Sequence, residues 1–428
     1  MIPFKHQTDI ALQAYGLLKR YGMAYLAMQE RTGKTLTSIL VAEMSKCTNI
    51  LVITKAKALK GDNDKDIVSA KGGWAGTLNL YLKVLSANQV WKTPTKTYTI
   101  VNYESLHKVS GKYDLIILDE AHSKIAAYPK PSLTWNKVYA FTKGKPVIYL
   151  SATPSAQSHS QLYHQLKLCT HSPWAKYKNF YDWFTAYGIP EVKRIGGGQQ
   201  IVVYDKCKDD LIQKIKDTLF ISYTRKQLGF NVEPVNVKVY VEPSPYTKKL
   251  YNILSKDKVI PANEFIAMVG EDYIADSVMR HRVGLHQIEG GTLKISDTQS
   301  IRLGNTEKID WIKKEYGDSD SDSIVIFYHF VQEEFLLKEH FKNARILQGT
   351  SYAEGVDLSM YETLIIYSMD YSTAKYSQRK ARQANMARVD DINVIYLLMK
   401  GAISDQVYTT VCENNKNYVD SYFINSTL

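Results

Sequence analysis

Along the first 155 residues, short apolar runs alternate with stretches whose apolar positions recur at helical spacing. AYLAM, NILVIT, YTIVNY, YDLIILD and KPVIYLSAT read as strands, and LTSILVAEMSK, with Leu36, Ile39, Leu40 and Met44 on one face, reads as an amphipathic helix. That alternation predicts a mostly parallel sheet wrapped by helices, with functional groups gathered at the strand C-terminal ends. The pattern breaks between residues 156 and 235. SPWAKYKNFYDWFTAYG is dense in aromatics, and VKRIGGGQQIVVYD reads as a hairpin turning at Gly196-Gly197-Gly198. A second alternation starts near 236. NVKVYVEP, SIVIFYHF, ARILQGT, TLIIYS and NVIYLLMK are predicted strands. PYTKKLYNIL and the region through IADSVMRHRVGLHQ are predicted helices, and GDSDSDS at 317–323 is an acidic turn. The expectation is an α/β protein of two tandem halves, 1–155 and 236–428, with 156–235 as a helical and hairpin extension of the first.

Two segments carry recognisable chemistry. MQERTGKT follows the first strand and opens the first amphipathic helix. A strand–loop–helix closing on Gly33-Lys34-Thr35 is a phosphate cradle. Backbone N–H groups of Arg31, Thr32 and Gly33 and the helix N-terminus face the anion, Lys34 reaches the outer phosphates, and the Thr35 hydroxyl ligates magnesium. The loop departs from G-x-x-x-x-G-K-[ST] in one place, because Met28 stands where the first glycine is wanted. The second segment, YDLIILDEAH, ends a buried strand in two carboxylates. Asp119 is expected to hold magnesium and Glu120 to orient and deprotonate the attacking water. Loop and acidic pair in this order predict an ATP-hydrolysing motor that uses ATP and Mg2+.

Composition narrows the class. A chain of 428 residues exceeds one hydrophobic core, and 45 % hydrophobic with 23 % charged residues is the balance of a soluble globular protein. No apolar run approaches the roughly 20 residues that cross a bilayer, and MIPFKHQTDIALQAYG has no secretory apolar stretch, so the expected location is cytoplasmic. Lysine and arginine number 54 against 43 acids, a net charge of +11 that suits a polyanionic partner. Cys47, Cys169, Cys207 and Cys412 stand far apart and read as reduced thiols. His159, His164, Cys169 and His171 match no common zinc spacing.

Further segments, taken in order, resemble the superfamily-two helicases, and more closely their Swi/Snf-like branch. FKHQ with Gln7 resembles the adenine-reading glutamine, RTGKT and the DEAH-type LDEAH resemble the first two ATPase motifs, and Ser151-Ala152-Thr153 the third. NYESL (Asn102-Tyr103-Glu104), YTRKQLGFNVEP, SIVIFYHF, QGTSYAEGVDL and QRKARQANMAR follow in the family's order. The compact length resembles the phage-encoded DNA helicases of this branch, whose location would be the host cytoplasm.

The resemblance implies two RecA-like lobes with parallel sheets and an ATP cleft between them. It implies an ATP-dependent DNA helicase or translocase acting on duplex, forked or branched DNA, with no membrane and no obligate protein partner. It implies Gln7, Gly355 and Asp357 near the nucleotide. Lys55, Tyr103, Ser151, Thr153 and Thr350 then fall on the nucleic-acid side, with the Ser151-Ala152-Thr153 hydroxyls also in reach of Glu120 or His122. Arg382 is the implied arginine finger. The family's second arginine falls on Asn385, and Arg388, one turn onward, is the candidate to replace it. Rival readings are an RNA helicase, the motor subunit of a restriction system, and a catalytically dead nucleic-acid clamp.

Overall fold

The first element shows how the pattern becomes structure. In helix α1 (Lys5–Tyr21) the buried residues Gln7, Ile10, Ala11, Ala14 and Leu18 fall on one face. Gly22 ends the helix at φ 63°, and its N–H returns to the Leu18 carbonyl at 2.9 Å. This is a computed structural model describing residues 2–60, 70, 72–82, 86–87, 90–194, 200–229, 232–267, 269–297, 299–317, 324–349, 358, 361–373, 375–376, 393–414, 416–419 and 423. The chain divides into two compact units, Met1–Gly229 and Phe230–Leu428. Residues 156–229 thus share a unit with residues 1–155.

The first unit is built on an eight-stranded sheet. Its strands are β1 (Met23–Met28), β2 (Asn49–Thr54), β3 (Ser86–Ala87), β4 (Val90–Lys92), β5 (Thr97–Asn102), β6 (Leu115–Asp119), β7 (Val147–Leu150) and β10 (Phe220–Tyr223). They lie in the order β10-β1-β7-β6-β2-β5-β4-β3, parallel from β10 through β5 and antiparallel at β4 and β3. Both faces are covered, so the inner strands are apolar throughout. In β2, Ile50, Leu51, Val52 and Ile53 are all fully buried, each contributing roughly 1.5–3 kcal/mol by burial. Helices α2 (Lys34–Met44), α3 (Gly73–Leu82), α4 (Ala121–Lys124) and α5 (Leu133–Thr142) connect the strands. Beyond β7 come α6 (Gln161–Lys167), α7 (Phe180–Tyr187) and α8 (Asp209–Leu219), with the antiparallel hairpin β8 (Gly188–Arg194) and β9 (Gln200–Cys207) flanking the triple glycine. The glycine turn itself lies outside the described residues.

Nothing in its own sequence predicts strand β10. FISY is only half buried, and it joins the sheet as an edge beside β1 with Met28 opposite Tyr223. The aromatic segment before it has a packing role. Trp174, Phe180 and Trp183 are buried in the core on one side of the sheet.

The second unit holds a five-stranded, all-parallel sheet, β11 (Val235–Tyr240), β16 (Ile324–Tyr328), β17 (Arg345–Gln348), β18 (Thr363–Ile366) and β19 (Asn393–Leu398), in the order β11-β19-β18-β16-β17. Four two- or three-residue strands, β12 (Val259–Ile260), β13 (Tyr273–Ile274), β14 (Thr292–Lys294) and β15 (Ser300–Arg302), form two small ribbons. Its described helices of six residues or more are α9 (Pro245–Asp257), α10 (Val278–Glu289), α11 (Glu307–Tyr316), α12 (Val331–His340) and α13 (Ile403–Tyr408). Helix α9 starts where Ser244 accepts the Thr247 N–H at 3.2 Å and Pro245 occupies the first turn. The segment through IADSVMRHRVGLHQ is helical only in its later part, because Tyr273–Ile274 pairs with Val259–Ile260 and the helix begins at Val278.

Both units are α/β layers on parallel sheets. In the first, the loop-bearing strand β1 and the acidic strand β6 are separated by β7, the strand arrangement of a RecA-like lobe.

Candidate phosphate-binding and catalytic site

Register brings the site together. Leu26 of β1 lies opposite Leu150 of β7, and Leu150 opposite Asp119 of β6. Ser151, one residue past β7, donates its N–H to the Leu26 carbonyl at 3.2 Å. The C-terminal ends of three adjacent parallel strands therefore hold the loop, the third motif and the two carboxylates, as open parallel sheets do.

The loop runs from Gln29 to Gly33 between β1 and α2. Gly33 caps α2 at φ 87°, where a side chain would be strained, and a Cβ there would stand 2.0 Å from the Gln7 amide nitrogen and displace it. Arg31 adopts φ 63°, a left-handed conformation unusual for a side-chain-bearing residue. Thr32 folds back on Gln29 twice, its hydroxyl donating to the Gln29 carbonyl at 2.7 Å and its N–H at 3.4 Å. Lys34 donates its ammonium to the Met28 carbonyl at 3.0 Å. Met28 is the last residue of β1 and fully buried, which is why a glycine is not required there. Gln7 is buried against the loop. Its Oε1 accepts the Phe4 N–H at 2.9 Å, and its amide approaches the Gly33 carbonyl at 3.5 Å.

Asp119 is 7 % exposed. Its Oδ2 accepts hydrogen bonds from the Thr54 hydroxyl at 2.7 Å and the Trp74 indole at 2.8 Å. Burial, then the neighbouring Glu120 charge, push its pKa up, while Trp74, Thr54 and the Lys34 charge pull it down. Thr54 and Trp74 are absent from the sequence-derived candidates. Trp74 sits in α3 with no motif around it, so the sequence carries no signal for this contact.

Glu120 turns the chain at φ 49° and caps α4. Its Oε2 lies 3.6 Å from His122 Nε2, and His122 Nδ1 shares a hydrogen bond of 2.7 Å with the Ser151 hydroxyl. The Thr153 N–H also donates to that hydroxyl, at 3.0 Å. A chain of contacts thus runs from Glu120 through His122 to the Ser151-Ala152-Thr153 turn. Beyond it, Gln165 donates to the Pro154 carbonyl at 2.8 Å and accepts from the Tyr25 hydroxyl at 2.6 Å, holding the turn to the sheet.

The structure places the candidates read from the sequence as follows. Tyr103, expected on the nucleic-acid side, is 2 % exposed and donates its hydroxyl to the Asp119 carbonyl at 2.8 Å, so it buttresses the acidic strand. Ser151, also expected on the nucleic-acid side, is fully buried and bonded to His122. Lys55 follows β2, half-buried; against the burial that would raise it, the Glu104 carboxyl is held below the usual range mainly by the Lys124 hydrogen bond, with the Lys124 and Lys55 charges adding to it. Thr35 opens α2 half-buried, one residue after Lys34. Thr350, Gly355, Asp357, Arg382 and Arg388 lie outside the described residues.

The histidine–cysteine group is dispersed among other partners. His164 Nδ1 meets the Ala127 carbonyl at 2.6 Å, burial lowers its pKa to about 4, and His159 precedes α6 and meets the Ser155 hydroxyl at 3.1 Å. Among the described residues, no helix is long and apolar enough to cross a membrane, and no cluster of three His, Cys, Asp or Glu side chains is arranged to hold a metal.

Residues 3–156 match the protein-family model described as "Type III restriction enzyme, res subunit". A solved "Sulfolobus solfataricus SWI2/SNF2 ATPase core in complex with dsDNA" is similar over 98 % of this chain and 94 % of that one, at 14 % identity and a TM-score of 0.39. The "Sulfolobus solfataricus SWI2/SNF2 ATPase core domain" is similar over 100 % and 94 %, with the same identity and TM-score. Among curated proteins none matches.

Proposed function

We propose that the chain hydrolyses ATP and uses the energy to move along or remodel DNA, duplex or branched. The observation that carries the reading is the convergence, in one unit, of the Gly33-Lys34-Thr35 loop with Asp119 and Glu120 at the ends of the two strands that flank β7. The family match spans the same loop, acidic pair and Ser151-Ala152-Thr153 turn.

The residues divide the work. On binding, Lys34 leaves the Met28 carbonyl for the β- and γ-phosphates, while the loop amides and the start of α2 receive the remaining charge. Thr35 and Asp119 would hold magnesium, which screens phosphate charge and polarises the transferring group when bound. The buried, donor-fixed Asp119 carboxylate suits that role, because a cation offsets the charge that burial disfavours. Glu120 takes the proton of the attacking water. His122 and Ser151 report the state of Glu120 to the turn after β7. From the second unit, Arg382 is proposed to stabilise the transferring phosphoryl group and Thr350 to meet the DNA backbone. Such contacts to phosphate make binding largely independent of base sequence.

The test is phosphate release by the wild-type chain with no nucleic acid and with single-stranded DNA, duplex DNA, branched DNA and RNA. Stimulation by DNA is expected, strongest with duplex or branched forms. Turnover indifferent to all of them overturns the motor, and stimulation by RNA alone overturns the DNA assignment. The family description favours a second reading, the motor subunit of a restriction system. That reading predicts DNA cleavage once a nuclease partner is supplied.

A further inference from the structure

Gln29, the first residue of the phosphate loop, is held from a distant part of the chain. Its N–H donates to the Tyr223 carbonyl at 2.9 Å, and its side-chain oxygen accepts the Arg225 N–H at 2.7 Å. The next loop residue, Glu30, has its carboxylate 3.7 Å from the Arg225 guanidinium, and both side chains are mostly shielded, at 19 % and 10 % exposure. A third tie runs through His6, whose ring stacks on Tyr223 at 5.1 Å and 6° while its Nε2 meets the Thr32 carbonyl at 3.1 Å.

Residues 223–229 form a turn bonded within itself. The Thr224 N–H and hydroxyl donate to the Gln227 side-chain oxygen, the Gln227 N–H returns to the Thr224 hydroxyl, and the N–H groups of Leu228 and Gly229 reach the carbonyls of Arg225 and Lys226. Gly229 closes it at φ 89° and is the last residue of the first unit.

We propose that Arg225 is a positioning residue for the nucleotide: it fixes Gln29 and Glu30 so that the phosphate loop keeps its binding shape, and it ties that shape to the segment leading into the second unit. The inference rests on the ATPase reading above. Arg31 is held in the left-handed region at φ 63°, so the loop needs outside support to keep its amides converged. Arg225 supplies that support through one backbone bond and one ion pair in a shielded place, where a charge pair is screened less than at the surface. When Lys34 leaves the Met28 carbonyl for phosphate, any shift of Gln29 passes directly to residues 223–225.

The experiment measures the affinity of a fluorescent ADP analogue, kcat, KM for ATP and the thermal midpoint. The variants are Arg225→Ala, Arg225→Lys, Glu30→Ala and the double alanine variant, with Lys34→Ala as reference. Arg225→Ala is expected to weaken nucleotide affinity and raise KM about tenfold, with kcat changed less and the midpoint held. Arg225→Lys recovers part of the loss, and the double variant is no worse than Arg225→Ala, because Glu30 acts through the ion pair with Arg225, while the Arg225 N–H bond to Gln29 persists in every variant. An affinity within twofold of wild type in Arg225→Ala overturns the proposal. So does a loss that comes only with a lowered midpoint and is not recovered by lysine. If Lys34→Ala itself leaves affinity and turnover intact, the ATPase reading fails. If Lys34→Ala is damaged and Arg225→Ala is not, only the positioning role fails.

Discussion

Lys34, Asp119, Glu120 and Ser151 each meet an identifiable partner, and the partners set what their removal should do. Lys34 has one task once nucleotide arrives, so Lys34→Ala should abolish ATP turnover and leave nucleotide-free DNA binding nearly unchanged. Glu120→Gln keeps the shape of the side chain and loses the proton acceptor, so the variant should accumulate with ATP bound, detectable as nucleotide retained through gel filtration. Turnover near wild type in either variant removes the assignment. Asp119 is buried with two donors on one oxygen, which makes the donors structural as well as chemical. Thr54→Val keeps the shape and deletes a hydrogen bond to a buried carboxyl. It should cost about 1.5–3 kcal/mol in the unfolding of the first unit, read by denaturant titration.

At the scale of elements, the turn after β7 is tied to the short helix α4, because Ser151 and His122 share a hydrogen bond and His122 borders Glu120. Ser151→Ala should therefore lower the DNA-stimulated ATPase rate more than the DNA-free rate. Equal losses in both would mean that Ser151 serves only catalysis or folding.

The second unit holds its own buried polar set. Glu289 of α10 and Glu333 of α12 lie near Lys308 of α11, whose ammonium donates to the Tyr367 carbonyl at 2.7 Å. Burial raises both glutamates to about 7, and burial lowers Lys308. The sign follows from linkage. An acid whose pKa is raised by folding costs nothing below the unfolded value near 4.5. Its penalty grows as pH climbs toward 7, by at most about 1.4 kcal/mol per pH unit, and is constant above that. Glu289→Gln removes one such group while keeping an acceptor for the Ser404 N–H. The stability difference between the variant and wild type should widen in the variant's favour from pH 5 to 7 and flatten beyond. A pH-independent difference in melting profiles would refute this.

For the whole molecule, the net charge of +11 predicts affinity for a phosphate backbone through released counterions. DNA affinity should fall steeply between low and physiological salt, with a log–log slope reporting several displaced ions, and a salt-insensitive affinity would count against a backbone-tracking motor. The late arginines give a sharper test. Arg382→Ala should cut kcat by orders of magnitude, on the order of 10³-fold, while barely changing ATP affinity. Arg388→Ala should do the same if it substitutes for the second arginine of the motif, and should weaken only DNA binding if it faces the track.

The sequence by itself determined the parallel core strands, because strands buried on both faces must be apolar along their whole length. It also determined the loop and the acidic pair, because the residues proposed to bind phosphate and activate water stand in short contiguous runs. It marked Ser151 as a hydrogen-bonding partner for Glu120 or His122, and only the register of β7 against β6 settled on His122. The edge strand β10, the Trp74 and Thr54 bonds to Asp119, the burial of Tyr103 and the hold of Arg225 on the phosphate loop were decided by tertiary structure. Each joins residues at least sixteen positions apart, up to 196 positions for Gln29 and Arg225, and such partners meet only after the sheet has set its strand order. No local periodicity records that meeting, since the energy that selects it belongs to the packed sheet and not to either segment.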